Sequence, residues 1–574
     1  MHTSDTRTGG APEADALADL AARYWDAAMA RSPLAATLLG RHDHDAELDD
    51  LSEAADAAHA DRLSSLLAGA RGLDPAGLDA AGRVTRSLLV HQLEVGLEAM
   101  ELRLVELASD QMLGPHAELL MVAPQLTYPE PDHARAALRR HQQVPRMLEG
   151  ALDRFRAGLA AGRAPAACVL ARSLNSLDGY LATPVDEDPF TAAGLPEDWD
   201  GADGWRDTVR GQVRDVIRPA FERYRDALRD ELLPVARPDD RAGWSWLPDG
   251  ERLYAALVRS HTTLTLSPAD LHRLGRHHTE ELLPEEYAEV APEVLGTGEL
   301  AEVFRRLRTD PALRHVDAAE IVAVAEASVA RATAAMGPWF GRLPTSPCRV
   351  TPVPEFLAAD APYAYYFPPA PDGSRPGTYF INTADPTEAS RTEAESIAFH
   401  EAIPGHHLQL AIAQDLDGLP EFQRHDGATS YIEGWGLYAE RLADEMGLYS
   451  GPLDRLGMLT ADSWRSARLV VDTGLHALGW SRQEAVDYFA EHTPVPIDQV
   501  VPEVDRYLAM PAQALSYKVG QLEIQRLRAE AQDRLGEGFD LAGFHDTVLG
   551  SGAVTLPVLA DFVHDWIERT GDPA

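Results

Sequence analysis

"FHEAIPGHHLQ", residues 399–409, decides how the rest of the chain is read. A helix carrying His-Glu-x-x-His sets two imidazoles on one face, one turn apart, with a glutamate between them as general base. Here the fifth position is Pro404, and the next histidines are His406 and His407. On an unbroken helix His400 and His406 differ by about 600° of rotation and about 9 Å of rise. His400 and His407 point the same way but stand about 10.5 Å apart along the axis. Zinc needs both nitrogens at about 2.0–2.1 Å, so neither pair closes on a straight helix. Pro404 has no N–H for the carbonyl of His400, and its ring collides with that carbonyl. Gly405 then accepts backbone angles that other residues resist. The expectation is a break over 402–406 that returns a second histidine to the first.

The chain has 574 residues, 45% apolar and 25% charged, ordinary proportions for a soluble globular protein with a large core. Its net charge of −40 argues against nucleic acid and anionic membranes as partners. Two cysteines, Cys168 and Cys348, are too few for a disulfide scaffold. The opening "MHTSDTRTGGAPEADALADLAARYW" holds acidic residues and no apolar run, so no signal peptide is expected. No stretch approaches about 18 consecutive apolar residues. A cytoplasmic location is the expectation.

Apolar residues recur at three- and four-residue steps in "EADALADLAARYWDAAMA", "VTRSLLVHQLEVGLEAMELRLVELA" and "GWRDTVRGQVRDVIRPAFERYRDALRDELLPVA". Two more long helices are expected in "LSPADLHRLGRHHTEELLPEEYAEV" and "DAAEIVAVAEASVARATAAMGPWF", each with a proline or aspartate start signal. Strand character is confined mainly to 348–383, where β-branched and aromatic residues alternate around "PDGSRPG". The fold class is therefore mainly α, a large multi-helix protein with one small sheet or hairpin before the histidine motif. The expected organisation is a helical region, 1–345, walling a cleft, and a catalytic region, 346–574. A strand beside a metal helix can hold an extended peptide by strand addition, and "GTYFINT" is placed for that role. Tyr379 and Arg375 on this segment are candidate substrate contacts.

Four stretches, "HEAIPGHHLQ", "YIEGWGLYAE", "RLVVDTGLHALGW" and "PAQALSYKVG", resemble in this order the bacterial family called domain of unknown function 885. That family is similar to the glutamate-type zincins in having His-Glu, a further histidine and a downstream glutamate. The resemblance implies a helical zincin-like fold and metallohydrolase chemistry.

Read from the residues, a zinc hydrolase site needs three protein ligands and an open position. His400 and one of His406 or His407 supply two, with His406 preferred because it follows glycine. Glu433 is the third candidate. It is followed by Gly434 and Gly436, which cost a helix roughly 1 kcal/mol each and so call for a reason such as close packing. Glu401 is then the general base. His407 becomes a substrate contact. Arg468, Asp472, His476 and Trp480 fall at successive i+4 steps, one stripe of a helix. Arg468 and Asp472 are read as orienting groups, and His476 as a donor to a developing oxyanion. Lys518 is the only lysine in the chain. A compact ammonium suits a substrate carboxylate. Tyr517 beside it is a second oxyanion donor, and Arg506 and Gln513 are further substrate contacts.

The leading expectation is a hydrolase with one zinc per chain, cutting a short peptide or peptide-like amide. The alternatives are an Fe(II) or other metal-dependent non-peptidase, for which two histidines and a carboxylate also suffice, and a metal-free helical scaffold.

Overall fold

The computed structural model describes residues 12–354, 362–369, 375–416 and 418–571. The amphipathic segments fold as helices, including Pro12–Arg31, Ala80–Glu101 and Ala318–Ala335. Side chains at the expected starts accept hydrogen bonds from the first turn, Ser267 from Asp270 N–H and Asp317 from Glu320 N–H. Three of the prolines within long helical stretches are met in one way, whereas Pro292 and Pro502 lie inside α-helices. Single π-helical turns at Val213–Ile217, Leu228–Leu232 and His278–Leu282 end two residues before Pro219, Pro234 and Pro284. Widening the turn keeps the ring off the upstream carbonyl, which an ordinary α-turn would not. Among the described residues no helix is long and apolar enough to cross a membrane.

The fold is mainly α, with one three-stranded sheet among the described residues. The largest core gathers side chains from Leu17 through Phe340 and from Tyr379 through Ile567, so it draws on both sides of residue 345. A second core, Leu34 to Leu232, lies within the N-terminal part.

The sheet runs β1 (Cys348–Pro352), β2 (Ala364–Phe367) and β3 (Gly377–Ile381) in the order β1-β3-β2. β3 pairs parallel with β1 and antiparallel with β2. The "PDGS" portion of the expected turn lies outside the described residues. β3, the strand expected to present an edge to substrate, is the central strand, with neighbours on both sides. Its main-chain groups are committed, so strand addition at "GTYFINT" is excluded, and any such pairing would have to use β1 or β2. Tyr379 on β3 is fully buried in the main core, so it cannot touch substrate as expected.

Candidate metal centre

The expected break is present. One helix ends at Glu401 and the next begins at His406, with a cis Ile403–Pro404 peptide between them. A side chain at Gly405 would place its Cβ 1.9 Å from the His400 carbonyl oxygen, so only glycine lets the chain double back here. The turn is held from the helix Thr429–Glu445, where Trp435 Nε1 donates to the Pro404 carbonyl at 2.9 Å.

This geometry brings His400, His406 and Glu433 together, with ligand atoms all within 4.8 Å of one another. Glu433 Oε2 stands 3.5 Å from His400 Nε2 and 3.5 Å from His406 Nε2. A tetrahedron with metal–ligand bonds of about 2.1 Å has edges of about 3.4 Å, so these separations match zinc ligands better than hydrogen-bonded partners. The two imidazole rings are nearly perpendicular, at 86°, with their edges turned to a shared point. Both histidines are buried, at 4% and 8% exposure.

Both glycines of "IEGWG" have a packing reason. At Gly436 a Cβ would fall 2.7 Å from the His400 ring, and at Gly434 it would fall 2.5 Å from the backbone of Gly520. Gly520 belongs to the helix Ser516–Leu535, which packs along the Glu433 helix. Glu433 is thus flanked on one side by an imidazole and on the other by a crossing helix.

Glu440 is the residue that sequence reasoning missed. His400 Nδ1 donates to Glu440 Oε1 at 2.8 Å, and Ser396 Oγ donates to Glu440 Oε2 at 2.8 Å. This fixes the tautomer that frees His400 Nε2, a common support for a metal-bound histidine. Its spacing was visible: seven residues after Glu433, it faces the same way on one helix. Burial pulls the His400 imidazole down, but the neighbouring carboxylates of Glu433 and Glu440 outweigh it and carry it up to about 9. Burial would raise Glu433, yet His400 and His406 hold it well below the usual carboxylate range. The cluster is built to surround positive charge.

Other expected residues lie elsewhere or are already engaged. His407 does not face the cluster: its Nδ1 accepts from the Tyr366 hydroxyl at 2.9 Å and its Nε2 donates to the Ser346 carbonyl at 3.0 Å. Burial lowers it to about 4, so it is a neutral brace between helix and sheet rather than a substrate contact. His476 accepts from Trp244 N–H and donates to the Tyr507 carbonyl, both at 3.1 Å. Burial lowers it to about 3, so with both nitrogens engaged it cannot serve as a cationic oxyanion donor. Asp472 accepts from the Tyr254 hydroxyl and from Ala512 N–H, and so secures a left-handed turn at Ala512 rather than orienting a ligand. Trp480 lies beyond the end of the helix Pro452–His476, so it does not continue the stripe. Lys518 is 2% exposed and its ammonium donates to Asp462, which Arg441 also grips. A substrate carboxylate would have to displace Asp462, so the expected role of Lys518 does not fit. Arg375 stacks on Phe367 at 4.4 Å. Tyr517 lies under the Arg468 guanidinium at 4.5 Å, and burial together with the charge of Glu433 raises its phenol. Arg506 pairs with Glu503 and donates to Gln513 Oε1 at 2.9 Å.

The chain belongs to the family described as bacterial proteins of unknown function (DUF885), whose sequence profile matches residues 33–563. No protein with a curated description matches it. A crystal structure of a candidate lipoprotein from Colwellia psychrerythraea is similar throughout, with a TM-score of 0.89 and 27% identity, covering 97% of this chain and 100% of that one. A second, from a candidate lipoprotein of unknown function of Shewanella oneidensis, shares the fold at 18% identity and a TM-score of 0.77, covering 96% and 99%.

Proposed function

We propose that this DUF885 protein is a zinc-dependent hydrolase that cleaves a peptide or peptide-like amide, with a site of the glutamate-type zincin kind. The observation that carries the reading is the convergence of His400 Nε2, His406 Nε2 and Glu433 Oε2 at the edge lengths of a tetrahedral site. His400, His406 and Glu433 would hold the metal, and a zinc ion so bound supplies Lewis acidity and an acidified water. Glu401, adjacent to His400, takes a proton from the attacking water on its carboxylate and returns it to the leaving nitrogen. Tyr517, its phenol raised by burial and by Glu433, stays protonated at neutral pH and offers an O–H to the developing oxyanion. Glu440 keeps His400 oriented throughout.

The test combines metal analysis with digestion of a peptide library, read by mass spectrometry with and without chelator. About one zinc per chain and chelator-sensitive cleavage are expected. Iron with oxygen-dependent turnover would replace the reading by an oxidative one, and the absence of any bound metal would end it.

A further inference from the structure

In a chain with 91 acidic residues and 51 basic ones, one guanidinium near the proposed centre has donor capacity left over. Arg468 lies on the helix Pro452–His476 and is 6% exposed. Its Nε donates to the Tyr507 hydroxyl at 2.9 Å, and its Nη2 meets Glu503 at 3.3 Å. Nη1 is buried and has no hydrogen-bond partner among the described residues. Glu503 is also the carboxylate that Arg506 grips, through Nε and Nη2 at 3.0 Å each. Two fixed positive charges therefore share one negative charge. A buried N–H of a charged group left without an acceptor is costly, and such groups normally find a partner.

Position gives the surplus a meaning. The Arg468 guanidinium covers Tyr517, and Tyr517 stands one turn before Gly520, whose backbone abuts Gly434 beside Glu433. The contacts thus run from the metal cluster through Tyr517 to Arg468 and on to Arg506. At the far end of this run the Arg506 side chain keeps 18% of its surface. A planar fork of N–H donors with one net positive charge is complementary to a carboxylate.

We propose that Arg468, with Arg506 behind it, binds a carboxylate of the substrate, so that the hydrolase acts on short peptides carrying a negative charge beside the cleaved bond. The inference rests on the hydrolase reading above and names its substrate class. The carboxylate has two sources, a free peptide C-terminus or an acidic side chain.

The test uses the full chain loaded with zinc and matched short peptides in four forms: free or amidated C-terminus, with or without a terminal glutamate. Wild type is expected to favour carboxylate-bearing peptides over the neutral amide by about 10- to 150-fold in kcat/KM, the range of a charge-assisted contact. The free-acid and glutamate arms tell which source is read. Arg468→Gln should lower kcat/KM for the carboxylate-bearing peptides far more than for the neutral amide and so remove that preference, and Arg468→Lys should restore part of it. Because Arg468 is buried, Arg506→Gln serves as a second variant, expected to weaken the same preference. Calorimetric binding of the same peptides to Glu401→Gln protein is read in parallel and needs no turnover. Equal binding of charged and neutral peptides overturns the proposal whatever the enzyme cleaves, and so does an equal loss on all four peptides in Arg468→Gln. A charge preference in binding without cleavage of any peptide would leave the carboxylate site standing and overturn the hydrolase reading instead.

Discussion

Among the described residues two groups of histidines and acids pass the same coarse test for a metal site. His400, His406 and Glu433 form one; His42, Asp45 and His133, in the N-terminal part, form the other, with ligand atoms equally within 4.8 Å. Their surroundings differ. In the second group His42 Nδ1 is already bonded to Asp45 Oδ2 at 2.9 Å, and Asp45 Oδ1 accepts from Thr37 Oγ1 at 2.7 Å. The Arg140 guanidinium lies 3.8 Å from the same carboxylate. The rings of His42 and His133 stack at 4.1 Å and 9°, so their nitrogens point along parallel lines. In the first group the rings are perpendicular, the nitrogen–oxygen gaps exceed hydrogen-bond length, and Glu440 orients one ring from behind. Residue types near one another do not make a metal centre. Converging lone pairs without a competing partner are what a metal centre would need.

The largest effect expected from that contrast is on metal content. His400→Ala and Glu433→Ala should each lose most bound zinc, measured by elemental analysis after gel filtration. Full occupancy in Glu433→Ala would remove it from the ligand set. Next, Glu401→Gln should keep zinc but lower turnover by about 10²- to 10⁴-fold, because base and ligand are separate roles. A proportional loss of metal would merge them. Glu440→Gln should weaken zinc affinity by about 10- to 100-fold, read by competition with a chromogenic chelator. Unchanged affinity would make Glu440 a packing residue. Gly436→Ala forces a methyl onto the His400 ring and should lower stability by about 1–3 kcal/mol in denaturant titration, with weaker zinc binding. At the small end, His42→Ala and His133→Ala should leave both metal stoichiometry and turnover unchanged. A loss of one metal equivalent in either variant would make the His42 group a second metal site.

Much of the site was legible because its parts are local. His400, Glu401 and the Pro404-Gly405 break lie within a few residues, and the need for a break follows from helix geometry alone. Glu433 could be singled out because two adjacent glycines weaken its helix. Glu440 was legible in principle by its heptad spacing but has no sign of its own, since surface glutamates are common at such spacings. Misplaced roles came from residues whose partners are remote in sequence. Lys518 looked unusual by composition, but its ammonium is taken by Asp462, 56 residues away. His476 shared a stripe with Arg468 and Asp472, yet its partners are the backbones of Trp244 and Tyr507. A periodic pattern reports which residues share a helix face, never what that face meets.

By itself the amino-acid sequence determined the helical class, the position of the small sheet and the break between His400 and His406, because periodicity, turn chemistry and proline geometry act over a few residues. Tertiary structure alone decided that β3 is central rather than an edge, that His406 and not His407 turns toward Glu433, and that Lys518 is closed while Arg468 keeps a donor unpaired. Each of these depends on which distant group arrives first at a strand edge, an imidazole or a buried charge, and the cost of leaving such a group unpaired is settled only when the helices pack.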